Sequence, residues 1–140
     1  MEKKCLRNNV NLLIIEDSDL GAQSLRKTLS KYGLNFVFVK DYFGAIIQID
    51  EGIKDKTQKF DIIFMDVVVP SIMSFEQALS IIRKISGYSN TPIIAMDSFL
   101  LEGSKQKCLE IGATNWLSKP INHAIFLNII EEYTGIFKKI

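Results

Sequence analysis

Five short apolar runs constrain the fold of this chain more than any other feature of its sequence. They cover residues 11–15, 35–39, 61–65, 92–96 and 114–117, and several are apolar throughout instead of alternating with polar residues. A strand that is apolar on both sides is typical of a parallel sheet covered on both faces. The runs therefore predict five parallel β-strands at the centre of the protein.

Segments of helical length separate these runs. Their apolar side chains recur at the spacing of one helix face, as Ala22, Leu25 and Leu29 do, and the segments cover residues 19–32, 41–52, 74–86, 99–111 and 122–133. Strand and helix alternate five times, which predicts an α/β fold of the (βα)5 type, an open parallel sheet with helices on both faces. We expect residues 1–140 to form one domain with a core at about residues 11–133.

Composition excludes several classes of protein. The 140 residues are 47% apolar and carry a formal charge of +1, so no basic footprint for nucleic acid is present. No apolar run approaches the ~18 residues of a membrane span. Cys5 and Cys108 are too few and too far apart for a disulfide framework or a metal knuckle, so we interpret them as incidental thiols. We therefore expect a cytoplasmic protein that contacts neither membrane nor nucleic acid.

Acidic side chains follow three of the predicted strands. Glu16 and Asp17 end the first strand, Asp66 the third and Asp97 the fourth, and Lys119 follows the fifth. Ligands of open α/β sheets bind outside the carboxyl ends of the strands, so these groups share the edge where a site is expected. Each has an ordinary alternative, such as a helix cap for Asp17, a turn cap for Asp66 or a solvated surface lysine. Clustered acids repel one another, however, which favours a bound cation or a function.

Carboxylate oxygens at the ends of two strands suit a hard divalent ion such as Mg2+, which also keeps waters and a phosphoryl oxygen as ligands. A carboxylate beside such an ion can attack phosphorus, and an ammonium opposite it can neutralise the charge that develops. The pattern therefore predicts a site that accepts a phosphoryl group.

Four segments resemble the receiver domain of two-component response regulators, over roughly residues 11–133. They are LLIIEDS with its acidic pair, FDIIFMDVVVP with a proline four residues after its aspartate, TPIIAM, and GATNWLSKPI. The resemblance implies the flavodoxin-like strand order 2-1-3-4-5. It also implies that Asp66 is the phosphoacceptor, that Mg2+ is held by Glu16, Asp17, Asp66 and the backbone carbonyl of Val68, and that Lys119 binds the phosphoryl oxygens. The resemblance further implies a cis peptide bond before Pro120 and a switch role for Trp116.

Two departures from the family pattern affect this expectation. Asp97 stands where the family places the Thr or Ser of its switch, and an ionised carboxylate near a phosphoryl group would cost about 3 kcal/mol at ~5 Å. Either a raised pKa or an ion pair with Lys119 would relieve that repulsion. Val68 and Phe99 stand where family side chains tune loss of the phosphoryl group, and both are apolar, so we expect slow self-hydrolysis. Trp116 has the alternative of simply covering the core.

Two functions remain open at this stage. The first is a stand-alone receiver, not a metabolic enzyme, that takes a phosphoryl group from a histidine kinase or phosphotransfer protein and signals to a separate effector protein. The second is an interaction module that works without phosphorylation because of Asp97. His123 is the only histidine, which excludes a two-histidine metal site. A flavin-binding protein of the same fold is disfavoured because acids occupy the place of its phosphate loop.

Overall fold

The computed structural model describes residues 4–5, 10–98 and 103–138. Five strands form one parallel sheet, and the first and last strands of the chain form a separate two-stranded ribbon. In chain order the strands are β1 (Lys4–Cys5), β2 (Asn11–Ile15), β3 (Asn35–Val39), β4 (Ile62–Asp66), β5 (Ile93–Asp97), β6 (Asn115–Ser118) and β7 (Phe137–Lys138). The parallel sheet has the order β3-β2-β4-β5-β6, which confirms the predicted order 2-1-3-4-5 when its own strands alone are counted.

Helices cover both faces of the sheet, as predicted. They are α1 (Asp19–Lys31), α2 (Tyr42–Asp55), α3 (Phe75–Lys84), α4 (Ser104–Glu110) and α5 (His123–Thr134). Alternate residues of β2 point to opposite faces, so Leu12 and Ile14 pack with α1 and α5, whereas Leu13 and Ile15 pack with α2, α3 and α4. The apolar runs are therefore buried because the sheet has two cores, one on each face.

Side-chain caps fix where several helices begin. The side chains of Ser18, Asp41, Ser74 and Asn122 accept hydrogen bonds from backbone N–H groups of the first turns of α1, α2, α3 and α5. Ser74 and Gln77 form a reciprocal capping box at α3. Each of these helices starts next to the carboxyl edge of the sheet, so the caps also fix the surroundings of the predicted site.

Three of the predicted strands are displaced by one residue. β4, β5 and β6 begin at Ile62, Ile93 and Asn115, one residue later than predicted. Asp61 accepts a hydrogen bond from the Asn11 N–H, and Thr114 accepts one from the Ile93 N–H. Asp66 and Asp97 are the last residues of β4 and β5, which is the end of the strand where the sequence places them.

The predicted end of α2 at Gly52 is wrong. The helix continues to Asp55 and ends at Lys56, whose φ of 54° is left-handed. A Cβ atom at Gly52 would lie 2.5 Å from the carbonyl oxygen of Gln58, so the glycine allows the following loop to approach the helix. α4 begins at Ser104, after Gly103 with a φ of 86°, and the predicted helical start at Phe99 lies outside the described residues.

A two-stranded ribbon was not predicted. β1 pairs antiparallel with β7, with Lys4 opposite Lys138 and Cys5 opposite Phe137. The Phe137 N–H also donates to a carboxylate oxygen of Glu131 at 2.7 Å, which ties β7 to the last turns of α5. Strands of two residues are too short to give a periodic signal in sequence.

Within the described part of the chain, no helix is both long and apolar enough to cross a membrane.

Candidate phosphoacceptor site

The carboxyl edge of the sheet brings three of the predicted site residues together. Glu16 follows β2, Asp66 ends β4, and Lys119 follows β6. The strands are in a register that makes them end nearly level, with Ile15 opposite Met65 and Asp66 opposite Met96. Residues that are distant in sequence therefore meet because parallel strands deliver their last residues to the same side of the domain.

Lys119 joins the two buried carboxylates. Its Nζ atom lies 2.6 Å from Oδ2 of Asp66, 2.7 Å from Oε2 of Glu16 and 3.0 Å from Oε1 of Glu16. Glu16 is only 3% exposed and Asp66 only 5%, so water does little to screen these ion pairs. One ammonium therefore faces two carboxylates in a poorly hydrated site.

The triad of Glu16, Asp66 and Lys119 has a net negative charge when both carboxylates are ionised. Burial raises the pKa of Glu16, although Lys119 opposes that shift. For Lys119, burial alone would lower the pKa, but the hydrogen bonds to Asp66 and Glu16 outweigh it and raise the pKa above the usual value. Lys119 is therefore a cation at neutral pH. Its single charge cannot balance both carboxylates when both are ionised.

The donor atoms fit a hard divalent cation. Oε2 of Glu16 is buried and makes no well-oriented hydrogen bond, although it lies 2.7 Å from the Lys119 nitrogen. An anionic oxygen in that situation is available to a cation that prefers oxygen ligands. The third predicted acid, Asp17, is exposed and takes no part in the Lys119 network. Among the described residues, no three acidic, histidine or cysteine side chains converge closely enough to hold a metal on their own.

Backbone groups complete the surroundings of Asp66. The N–H of Val68 donates to Oδ1 of Asp66 at 3.1 Å, whereas Oδ2 accepts from Lys119, so the two carboxylate oxygens have different partners. Beneath the same turn lies Tyr42, whose hydroxyl donates to the carbonyl of Asp66 at 2.7 Å and to that of Val67 at 3.1 Å. Sequence reasoning missed Tyr42. Its position directly after the Asp41 cap, at the carboxyl edge, is the one signal that points to it.

Asp97 is buried at the end of β5 and is not paired with Lys119 through its side chain. Its Oδ2 atom accepts a hydrogen bond of 2.5 Å from the hydroxyl of Ser104, the first residue of α4. The backbone N–H of Lys119 donates to the carbonyl of Asp97 at 2.9 Å. The sequence suggested that an ion pair with Lys119 could relieve repulsion at Asp97. The structure instead pairs Lys119 with Glu16 and Asp66.

Three further residues considered in the sequence are Pro120, Trp116 and His123. The peptide bond between Lys119 and Pro120 is cis. Trp116 is half-buried against the core on the α2, α3 and α4 side, and its indole N–H is buried with no hydrogen-bond partner among the described residues. His123 does not enter the site, because its ring nitrogens contact the hydroxyls of Ser24 and Thr28 and so link α5 to α1.

Comparison with known proteins identifies the family. Residues 12–131 match the response regulator receiver domain. Hybrid signal transduction histidine kinase I of Dictyostelium discoideum is 31% identical over 121 residues, which are 85% of this chain and only 7% of that protein. The chain therefore spans a small part of the length of this relative.

Solved structures agree with the sequence match. The receiver domain of sensor histidine kinase PA1611 from Pseudomonas aeruginosa, determined with a magnesium ion in its active site cleft, is 25% identical with a TM-score of 0.76, covering 91% of this chain and 98% of that one. The receiver domain of Ssk1 from Saccharomyces cerevisiae, solved with the phosphotransfer protein Ypd1, has the same fold, at 24% identity and a TM-score of 0.76, covering 90% of this chain and 89% of that one. This chain belongs to the response regulator receiver domain family.

Proposed function

We propose that this receiver domain takes a phosphoryl group onto Asp66 from the phosphohistidine of a histidine kinase or phosphotransfer protein. The observation that carries the proposal is the triad, in which Lys119 Nζ lies 2.6 Å from Asp66 and 2.7 Å from Glu16 at a buried edge of the sheet. A carboxylate oxygen of Asp66 attacks phosphorus, and the bond between phosphorus and the donor nitrogen breaks. The imidazole nitrogen keeps that electron pair and takes up a proton from water.

The residues that would hold Mg2+ are Glu16, Asp17, Asp66 and the carbonyl of Val68. When bound, Mg2+ supplies positive charge beside the phosphoryl oxygens. Oε2 of Glu16 is buried and makes no hydrogen bond beside its ion pair with Lys119, which supports this assignment, as does the magnesium ion in the related PA1611 receiver. Lys119 stays near Asp66 and binds the phosphoryl oxygens after transfer, because a fixed ammonium stabilises the charge that the acyl phosphate adds.

Exposed apolar side chains around this edge support a protein as the phosphodonor. Ile72 is 98% exposed in the loop after β4, and further exposed apolar residues lie near the starts of α1, α2 and α5 and in the same loop: Leu20, Phe43, Ile125 and Val68. Apolar residues exposed in one region are typical of surfaces that bind another protein. We propose that this apolar rim meets the donor, and that a separate effector protein reads the phosphorylated state.

Intact-protein mass spectrometry after incubation with acetyl phosphate and Mg2+ tests the proposal. We expect a phosphoryl adduct on the natural chain and none on Asp66→Asn. The matched control is Asp61→Asn, because Asp61 lies just before the same strand at the opposite edge, where its carboxylate accepts the Asn11 N–H. Loss of the adduct in the control alone, or its survival in Asp66→Asn, contradicts the assignment of the acceptor.

The lifetime of the adduct tests a finer part of the proposal. Val68 is exposed beside the acceptor and apolar, so it offers no group that can orient an attacking water. The second apolar position, Phe99, lies outside the described residues. We expect slow self-hydrolysis, which Val68→Glu should accelerate if side-chain chemistry at this position sets the rate. Rapid decay of the adduct on the natural chain would overturn this expectation.

A second candidate function rests on Asp97. Its bond to Ser104 holds the start of α4 against the end of β5 before any phosphoryl group arrives, which suits an interaction module that works without phosphorylation. In that case Asp97→Thr gains an adduct that the natural chain lacks. Ser104→Ala separates the two effects, because it frees α4 while leaving the Asp97 carboxylate in place.

A further inference from the structure

Tyr42 is the first residue of α2 and is only 1% exposed, yet its hydroxyl is not used within its own helix. The hydroxyl donates to two consecutive backbone carbonyls, those of Asp66 and Val67, at 2.7 Å and 3.1 Å. One phenolic proton is thus shared between two acceptors directly behind the phosphoacceptor. The ring is held in place edge-to-face against Phe75, with ring centroids 6.5 Å apart and an interplanar angle of 65°.

The sheet itself leaves one of these carbonyls without a strand partner. β2 ends at Ile15, and its last pairing with β4 is at Met65, so no residue of β2 stands beside Asp66. A buried carbonyl that loses its ladder partner needs another donor. The Tyr42 hydroxyl supplies that donor from α2, at the point where strand pairing with β2 stops.

The two carbonyls belong to the two peptide units that set the geometry of the acceptor. The N–H of the first unit, on Val67, donates to the carbonyl of Met96 at 2.9 Å. The N–H of the second unit, on Val68, donates to Oδ1 of the Asp66 carboxylate at 3.1 Å. A peptide unit is planar, so fixing its carbonyl also fixes the direction of its N–H. Tyr42 therefore constrains the bond that orients the Asp66 carboxylate.

From these contacts we propose that Tyr42 is a positioning residue for phosphoryl transfer, holding the turn that presents the Asp66 carboxylate and the Val68 carbonyl. The inference rests on the proposed function, since it assigns a role within the same site. Tyr42 touches only the backbone of the acceptor and does not itself react. Burial, with the nearby charge of Asp66, raises the pKa of the Tyr42 hydroxyl, so the group remains a donor at neutral pH.

Tyr42→Phe tests the role with Tyr88→Phe as the matched control. Tyr88 is also 1% exposed, and its hydroxyl also bonds to the backbone, accepting the Phe60 N–H at 2.9 Å, but at the opposite edge of the sheet. Both variants lose one buried hydroxyl, so both should lose a similar amount of thermal stability. Only Tyr42→Phe should lower the initial rate of phosphorylation by acetyl phosphate, by about tenfold.

Hydrogen exchange of the Val68 amide, measured without metal or phosphodonor, supplies a second readout. We expect its protection to fall about tenfold in Tyr42→Phe and to stay unchanged in Tyr88→Phe. The proposal is overturned if Tyr42→Phe keeps both the Val68 amide protection and the phosphorylation rate of the natural chain. It is also overturned if Tyr42→Phe and Tyr88→Phe lose the same amount of phosphorylation rate. If the natural chain takes no phosphoryl group, the proposed function fails, and the Val68 amide alone then decides whether Tyr42 holds the turn.

Discussion

The two edges of the parallel sheet solve the problem of buried polar groups in opposite ways. At the amino edge, the Arg83 guanidinium joins the loop before β5 to the loop before β6. It donates to the backbone carbonyls of Tyr88, Thr91 and Gly112 and to the hydroxyl of Thr114. At the carboxyl edge, Glu16, Asp66 and Asp97 are buried, and among the described residues Lys119 alone forms ion pairs with the first two. One edge is closed by a cation with neutral partners, whereas the other concentrates carboxylates that oppose one another.

This difference separates stability from chemistry within one small domain. A guanidinium that bonds to several carbonyls lowers the free energy of the folded state and leaves no acceptor for a ligand. Clustered acids raise that free energy, but they create a place where a cation or a phosphoryl group relieves repulsion. The comparison predicts that substitutions at the amino edge change stability alone, whereas substitutions at the carboxyl edge change phosphorylation or Mg2+ binding, with or without a loss of stability.

The largest effect is expected from Lys119→Ala. Removing the ammonium leaves the Glu16 and Asp66 carboxylates buried and unneutralised, which should lower the free energy of unfolding by about 3 kcal/mol and abolish stable phosphorylation. Urea unfolding and adduct formation measure the two losses. As a control, Lys54→Ala breaks an exposed ion pair with Asp50, which solvent screens, and should leave the free energy of unfolding almost unchanged. Equal stability of the two variants would contradict the buried triad.

Arg83→Ala should give the second largest effect and tests the amino edge. Loss of its four hydrogen bonds should lower the free energy of unfolding by about 2 kcal/mol while the rate of phosphorylation stays natural. The adjacent Lys84, which is exposed, offers Lys84→Ala as the control. A slower rate of phosphorylation in a folded Arg83→Ala protein would show that the two edges are coupled.

Gly21→Ala sharpens the comparison at the carboxyl edge. A Cβ atom at Gly21 would lie 2.8 Å from Oε1 of Glu16, so it should displace that carboxylate and weaken Mg2+ binding by about tenfold, measured by calorimetry. Stability should not fall in parallel, because alanine favours the helix over glycine by up to about 1 kcal/mol.

The rescue variant distinguishes this mechanism from general damage. Adding Glu16→Asp to Gly21→Ala shortens the displaced side chain and should recover part of the affinity. Gly44→Ala adds the same methyl group to α2, where the nearest atoms belong to Asp41 and Val39, and should leave Mg2+ affinity unchanged. A double variant that binds Mg2+ no better than Gly21→Ala would argue against crowding of Glu16.

The smallest effect is expected at alkaline pH and should appear at both edges. Burial raises the pKa of Tyr42 and that of Tyr88 above the ordinary value of 10.0, whereas an unfolded chain titrates its tyrosines near that value. Their contribution to stability is therefore present below pH 10 and is lost as the pH rises through the folded pKa. Between pH 10 and 11 the titration of Tyr42 should cost about 1 kcal/mol, measured by urea unfolding, and Tyr88 should add to the decline in the same direction.

Substitution of either tyrosine by phenylalanine should make that alkaline decline shallower. The comparison is made between each variant and the natural chain over the same pH range, so that effects of Lys119, whose pKa is also raised, cancel. A decline in both variants that is as steep as in the natural chain would show that other groups govern alkaline unfolding.

The sequence predicted the sheet and the acidic edge well because both depend on local patterns. Continuous apolar runs define strands buried on two faces, and the chemistry at their carboxyl ends follows from the parallel arrangement. The features that it missed depend on contacts between distant segments. Gly52 looked like the end of a helix but allows the loop at Gln58 to approach, and the Tyr42 hydroxyl finds its acceptors 24 and 25 residues away. The bond between Ser104 and Asp97 likewise depends on where α4 begins, which no local pattern fixed.

The ribbon of β1 and β7 has a mechanical consequence. Because Lys4 stands opposite Lys138, force applied through segments before and after the domain acts on one point of its surface. Two antiparallel strands pulled apart at their ends separate one pair at a time, whereas the parallel strands of the main sheet are not loaded until the ribbon opens. Under tension, we therefore expect β1 and β7 to separate before the parallel sheet that carries Asp66 is stretched.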